Sequence, residues 1–502
     1  VKPESPANEK MSLAYCVGAL VLAAAVRLYL FQNDYIINND GVVYIESARR
    51  FWEGDWLGGL SGFYPPLFPL MIATAFSLTG EWELAGRLWP LVLSILILFP
   101  LFGLLRRIYN LRVAYMALFL FAVSPYLARL SVDVRSEIPY IFFLLCATYF
   151  FQLAIDQKRG SPLFLAGISS ALAYLIRPEA IGFLAVGVVF LLYRARLNGV
   201  ASKMWIPVSV LFLGFFVLAA PYVLYLKWDT GKWLFTRKAG NAVSQGMSVH
   251  DPSTAVVSQE ESVQVDALEL IRSHPLSYAK KVFIDFFRFI GFYFEAVHYA
   301  YLPFLFLGWI LFFRGRFWEK KDFLLVILVG FYIAAFPLLY VTRRYSVPLV
   351  PVSLGWVAVG SLTVWEYSRA RWEKAGSFLM GLLAGAFALG TLPKTLVSVG
   401  REKLYFREAG LYLKSKPGNP TIFTHDSRVA FYARGSNHVR VVGIEEALAS
   451  RATARTYLTL DNKLLESTKG ALGTMGWVRE REFSGSTGDG LVILLLNRKA
   501  PE

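Results

Sequence analysis

The stretch YPPLFPLMIATAFSLTG, Tyr64 to Gly80, is apolar enough to pass for a membrane span, and counting it decides where every later loop lies. It holds three prolines, Pro65, Pro66 and Pro69. Proline removes a backbone donor and clashes inside a helix. The run also falls short of the ~20 residues a helix needs to cross ~30 Å of hydrocarbon. Read as a juxtamembrane or partly inserted helix, it leaves the rest of the chain in a consistent order. With the N-terminus inside, Arg106, Arg107 and Arg112, then Lys158 and Arg159, then Arg194, Arg196 and Lys203 share the inner side. Arg314, Arg316, Lys320 and Lys321 follow there, and so do Arg369, Arg371 and Lys374. That is the positive-inside bias; a crossing at Tyr64–Gly80 would put them all outside.

Composition supports the membrane reading. Hydrophobic residues make up 56% of the 502, and aromatics 16%, against about 45–50% apolar in soluble domains. Apolar runs lie near 11–32, 87–105, 113–131, 138–156, 162–176, 180–193, 205–226, 299–313, 322–341, 346–365 and 376–395. The expectation is a polytopic α-helical membrane protein of about eleven transmembrane helices, with juxtamembrane helices in its first outer loop. That domain takes residues 1–396, with outer loops 33–86 and 227–298. The first run lacks a small-residue cleavage site and reads as an anchor. No repeat of fixed period is visible. The net charge of +15 sits in short loops and not in a continuous basic, aromatic-interleaved surface, which argues against nucleic acid. Cys16 and Cys146 both lie in apolar runs, so no disulfide framework is expected.

From Arg401 onward the apolar runs shrink to strand length, as in TIFTHD, HVRVVG, RTYLTL and GLVILLLN, with helical stretches between. This reads as a small soluble α/β domain, 397–502, on the outer face. KSKPGNP and GSTGDG read as turns in it. The long outer loop ends in an aromatic amphipathic stretch, KKVFIDFFRFIGFYFEAV, suited to the membrane interface.

Some charges run against the topological bias. Asp133, Arg135 and Glu137 fall at one outer tip, Arg177 and Glu179 at a second, and Arg343 and Arg344 beside Tyr345 at a third. Singly, each reads as a helix end reaching headgroups or a neighbouring charge. Together with Asp40 in the first loop they gather acids and guanidiniums at one face. Arginine forks bind phosphate oxygens, and a carboxylate can deprotonate an attacking hydroxyl or amine. Nucleotide sugars and ATP are not supplied outside the cytoplasmic membrane, so group transfer there needs a lipid-phosphate donor flipped across the bilayer. Asp133 and Glu137, four apart, would share a helix face and could take a divalent cation; no cofactor is otherwise indicated, and the five histidines show no ligand spacing.

The first loop, DGVVYIESARRFWEGDW followed by YPPLFP, resembles that of the GT-C glycosyltransferases, above all the lipid A aminoarabinose transferases and the protein O-mannosyltransferases. The matching positions are Asp40, Tyr44, Ala48-Arg49, Gly54-Asp55-Trp56 and Pro65-Pro66-Leu67, with Glu137 and Pro139 in the second loop. LIRPEA and RRYSVPLVP also look like outer-edge elements of bacterial members. One departure stands out: where the aminoarabinose transferases carry Glu-Lys before Pro-Pro-Leu, this chain has Phe63-Tyr64. A lysine that helps hold donor phosphate is thus missing, and Arg177, Arg343 or Arg344 is expected to supply its charge.

The resemblance implies an inverting sugar transfer from a polyprenyl-phosphate donor to a lipid, glycan or protein acceptor at the outer face of the cytoplasmic membrane. Asp40 would be the base, and Glu137 would orient the acceptor or, with Asp40, contribute to a metal site. Tyr44, Tyr64, Asp133, Arg135, Arg177, Glu179, Arg343, Arg344 and Tyr345 would bind substrate, Glu179 chiefly by holding Arg177. Tyr44 equally fits an interfacial anchor. A surface-glycan polymerase or ligase, and a transporter or flippase of lipid-linked substrates, remain alternatives.

Overall fold

The computed structural model describes residues 6–197, 205–252, 266–372, 376–435, 438–443, 446, 455–474, 476–485 and 489–496. The chain divides into two compact units. One comprises Val1–Tyr29 and Ser47–Val397, the other Leu30–Glu46 and Ser398–Glu502.

The first unit is helical. Among the described residues, seven helices are long and apolar enough to cross a membrane: Ala14–Gln32, Trp82–Ile108, Glu137–Gln157, Pro178–Leu197, Trp205–Thr230, Arg343–Arg371 and Phe378–Thr395. Three of the eleven expected spans form shorter apolar helices, Leu111–Ala122, Gly160–Tyr174 and Phe323–Leu338. Leu67–Thr79, the helix of the opening stretch, is of the same kind. Length alone therefore does not separate it from those three.

Two features depart from uninterrupted spans. The run expected over 113–131 breaks into Leu111–Ala122 and Pro125–Leu130, with Pro125 at the start of the second helix, where a missing N–H costs nothing. Buried Arg27 meets the break: its Nη1 donates to the Ala122 carbonyl at 3.2 Å, and its guanidinium stands over Phe121. A cation at a helix C-terminus satisfies an orphan carbonyl and complements the dipole. The second is an elbow. Helix Pro275–Val297, the aromatic stretch of the long loop, turns by 84° into Tyr299–Phe313. The corner residue His298 has φ 87°, and its Nδ1 accepts from Ala300 N.

Glycines let some helices approach backbone to backbone. A Cβ on Gly214 would collide with the Phe164 carbonyl oxygen, and one on Gly360 with that of Phe304. In lipid, where tails are as apolar as leucine, such backbone-to-backbone approach is a main source of helix association.

The second unit holds a five-stranded sheet. Its strands are β1 (Thr421–Thr424), β2 (His438–Val441), β3 (Thr456–Asp461), β4 (Trp477–Ser484) and β5 (Gly490–Leu496), in the order β2-β1-β3-β5-β4. β1 runs parallel to β2 and β3, and β3–β5 and β5–β4 are antiparallel. Phe423, Leu458, Leu460, Leu472, Trp477, Val492 and Leu494 form the core. The expected strands are present. β4, WVREREFS, was not foreseen, because edge strands alternate charges outward and show little apolar signal. In the expected GSTGDG turn Gly485 N bonds Asp489 O, and 486–488 lie outside the described residues. The KSKPGNP turn leads into β1 with Gly418 and Asn419 at positive φ.

Residues from the first loop belong to this unit. Tyr35 N donates to Val399 O and Val399 N to Asn33 O, both at 3.1 Å, a parallel bridge between the first loop and the start of the C-terminal segment.

Candidate functional site

Each unit carries part of the expected site. In the second, Asp40 lies in the first turn of helix Asn39–Trp52. Asn38 Oδ1 accepts from Gly41 N at 2.9 Å, so the side chain caps the helix, and an acid in the first turn is favoured by the dipole. Asp40 is half-buried, and Tyr44, one turn on, is 2% exposed.

In the first unit, the tips that the sequence singled out come together around Arg177. Its Nη1 donates to Glu137 Oε1 at 3.0 Å and its Nη2 to Glu179 Oε1 at 3.1 Å. Ser136 Oγ accepts from the same Nη1 at 3.4 Å. The guanidinium faces the rings of Tyr345 and Tyr140, 5.2 and 5.9 Å from their centroids. Arg177 is 5% exposed and Glu137 2%, so this is a buried fork between two carboxylates. Local sequence explains it: Glu137 opens helix Glu137–Gln157, and Pro178 starts the short 3-10 turn that carries Glu179. Tyr332 Oη donates to the Glu179 carbonyl and receives a bond from Tyr140 Oη.

Asp133 and Glu137 do not share a helix face. Residues 131–136 form a turn ahead of the helix, where Asp133 accepts from Arg135 Nε at 2.7 Å and from Val134 N. Burial opposes the charged form of Arg135, but Asp133 and Glu137 outweigh it and raise its pKa, with Arg344 acting the other way. With both acids engaged by arginines, the pair does not fit a divalent cation. Among the described residues no group of three or more His, Cys, Asp or Glu could hold a metal.

The remaining expected residues separate. Arg344 lies over the Tyr345 ring and is half-buried. Arg343 turns elsewhere: its Nε pairs with Glu295 at 2.9 Å, beside Tyr126, whose hydroxyl donates to the same carboxylate. Tyr64 stays with the cluster through a residue the sequence did not mark. Lys238 Nζ stands 3.9 Å from the Tyr64 ring centroid and 5.4 Å from that of Phe63, and its charge acts on the Glu179 carboxylate. A lysine thus returns beside Phe63-Tyr64, brought in by the long loop. His250 bonds Asp285 at 3.0 Å, which also pairs with buried Lys281. A cavity of about 1180 Å³ lies at the other end of helix Glu137–Gln157, lined by Asp156, Arg106, Arg107, Arg112, Lys321 and Glu366. None of the expected site residues lines it.

The chain thus pairs a helical unit carrying a charged cluster at its helix ends with a small α/β unit. Residues 64–225 match the sequence profile described as dolichyl-phosphate-mannose-protein mannosyltransferase. The crystal structure of ArnT from Cupriavidus metallidurans bound to undecaprenyl phosphate is similar over 98% of this chain and 99% of its own, at 12% identity and a TM-score of 0.62. Its apo form gives 14% identity, 98% of each chain and 0.61. The oligosaccharyltransferase AglB from Archaeoglobus fulgidus, in complex with an inhibitory peptide and a dolichol-phosphate, gives 13% identity over 97% of this chain and 74% of its own, with 0.57. At these identities the likeness is one of fold. No curated protein sequence matches the chain.

Proposed function

We propose that the chain is a GT-C membrane glycosyltransferase that moves a sugar from a polyprenyl-phosphate donor to a lipid, glycan or protein acceptor at the outer face of the cytoplasmic membrane. The observation that carries this is the end-to-end likeness to a structure bound to undecaprenyl phosphate, with the mannosyltransferase profile over 64–225 beside it.

In this reading Asp40 takes the proton from the acceptor hydroxyl or amine as that atom attacks the anomeric carbon. The bond from that carbon to the phosphate oxygen breaks, the oxygen keeps the electron pair, and polyprenyl phosphate leaves with inversion at the sugar. In the same reading Lys238 and Arg344 supply the positive charge that meets the developing phosphate charge. In this reading Arg177 is a strut in place of the phosphate fork first expected, since its two ends pair with Glu137 and Glu179. Its part is to fix the cluster, and Glu137 fixes it in return.

The test is sugar transfer by the full chain in lipid nanodiscs, offered undecaprenyl-phosphate-linked mannose, other hexoses and aminoarabinose in turn. Release of undecaprenyl phosphate that Asp40→Asn abolishes supports the reading. Full turnover in Asp40→Asn removes Asp40 as base, and no release from any donor removes the transferase reading.

A further inference from the structure

The second unit joins two parts of the chain that sequence order keeps far apart, and the join lies where Asp40 is held. Beyond the bridge at Val399, Arg407 Nη1 donates to the Tyr35 carbonyl at 3.1 Å. Ile37 N, in a residue 1% exposed, donates to Tyr432 Oη at 3.0 Å. The Arg407 guanidinium lies over the Tyr432 ring, 5.2 Å from its centroid, so these two anchors brace each other. On the far side of Asp40, Glu46 pairs with Arg434 at 2.6 Å. Gly400, at φ 72°, lets the backbone come so close that a Cβ there would strike the Ile36 side chain.

These contacts bracket one segment. Asn33 to Ile37 are tied on one side of Asp40 and Glu46 on the other, every tie reaching to a residue between Val399 and Arg434. The helix bearing Asp40 has a local cap from Asn38, but a capped helix end does not fix where the end points. Direction comes from the chain leading into it, and that chain leans on the C-terminal residues for its backbone partners. A base must sit within hydrogen-bond reach of the proton it takes, and small displacements of such a group cost rate steeply.

We infer that the C-terminal unit is a clamp that positions the Asp40 segment, with Tyr432, Arg407 and Arg434 as positioning residues for the base. This rests on the reading of Asp40 given above.

The experiment follows hydrogen–deuterium exchange over residues 33–46 in the full chain in nanodiscs, together with mannose transfer from undecaprenyl-phosphate-mannose. Tyr432→Phe removes one acceptor and keeps the ring. Exchange at Ile37 is expected to rise about tenfold or more and kcat to fall while KM holds. Arg434→Glu is expected to do the same through Glu46, and the paired reversal Glu46→Arg with Arg434→Glu to bring both readouts back toward wild type. Unchanged exchange in Tyr432→Phe and Arg434→Glu overturns the clamp. Faster exchange with kcat unmoved overturns its role in positioning. Activity in Asp40→Asn, by contrast, strikes only the assignment of the base, and the exchange result stands apart from it.

Discussion

Replacing Arg177 tests how the charged cluster is built. Its two amino groups lie 3.0 and 3.1 Å from carboxylate oxygens of Glu137 and Glu179, and all three side chains are largely withdrawn from solvent. At an effective dielectric of about 20, a pair at such a distance attracts by about 5 kcal/mol. Desolvation offsets much of that, and removing one partner of a buried pair leaves a net loss of about 3–5 kcal/mol. Arg177→Ala strands two buried acids, so it belongs at the upper end. Arg177→Lys has one ammonium where the arginine has a fork, and should recover about half by reaching one acid. Glu137→Gln keeps an acceptor for the fork and should cost about 1–3 kcal/mol. The assay is the apparent melting temperature in mild detergent, read by tryptophan fluorescence at one scan rate. The expected order is wild type, Glu137→Gln, Arg177→Lys, Arg177→Ala. If Arg177→Ala melts with the wild type while mannose transfer collapses, Arg177 is a substrate ligand and not a strut.

Three further outcomes follow from the same structure. Gly360→Ala drives a Cβ into the Phe304 carbonyl oxygen, and overpacking of about 1–3 kcal/mol should lower the melting temperature, whereas Gly381→Ala, which meets nothing within 4 Å, should not. Lys238→Met should raise KM for the lipid-phosphate donor about tenfold with little change in melting, and an unmoved KM would remove Lys238 from the phosphate site. In the C-terminal unit burial pulls the Glu480 carboxyl upward, but hydrogen bonds from Lys416 and Tyr412 outweigh it and hold it below its ordinary 4.5. A carboxyl lower in the folded than in the unfolded chain stabilises fully above that unfolded value and loses its contribution as pH falls through the folded one. Unfolding of this unit, followed by exchange in β4, should therefore steepen below about pH 4.5, and Glu480→Gln should flatten that limb.

Local chemistry was legible in the sequence, and distant pairing was not. Glu179 was expected to hold Arg177, two residues away, and it does. Glu137 was expected to act on the acceptor; its bond to Arg177 joins residues forty apart, which no spacing rule reaches. The helical reading of Asp133 failed because Arg135 draws that carboxylate into a turn. Pro125 was in plain view within the run 113–131 and marks its break. Lys238 carried no local mark at all. It begins a helix in the long loop and matters only because Tyr64 lies beneath it.

The union of Leu30–Glu46 with Ser398–Glu502 in one unit also sets an order in time. Ribosomes add about 5–20 residues per second, so the strap at Asn33–Ile37 waits roughly 20–80 s before Tyr432 and Arg434 exist to receive it. Until the residues from Ser398 to Arg434 emerge, the helices insert and pack, but the chain holds its proposed base unfixed. A product of interrupted translation would then sit in the membrane assembled yet silent. Activity would report that synthesis had passed Arg434.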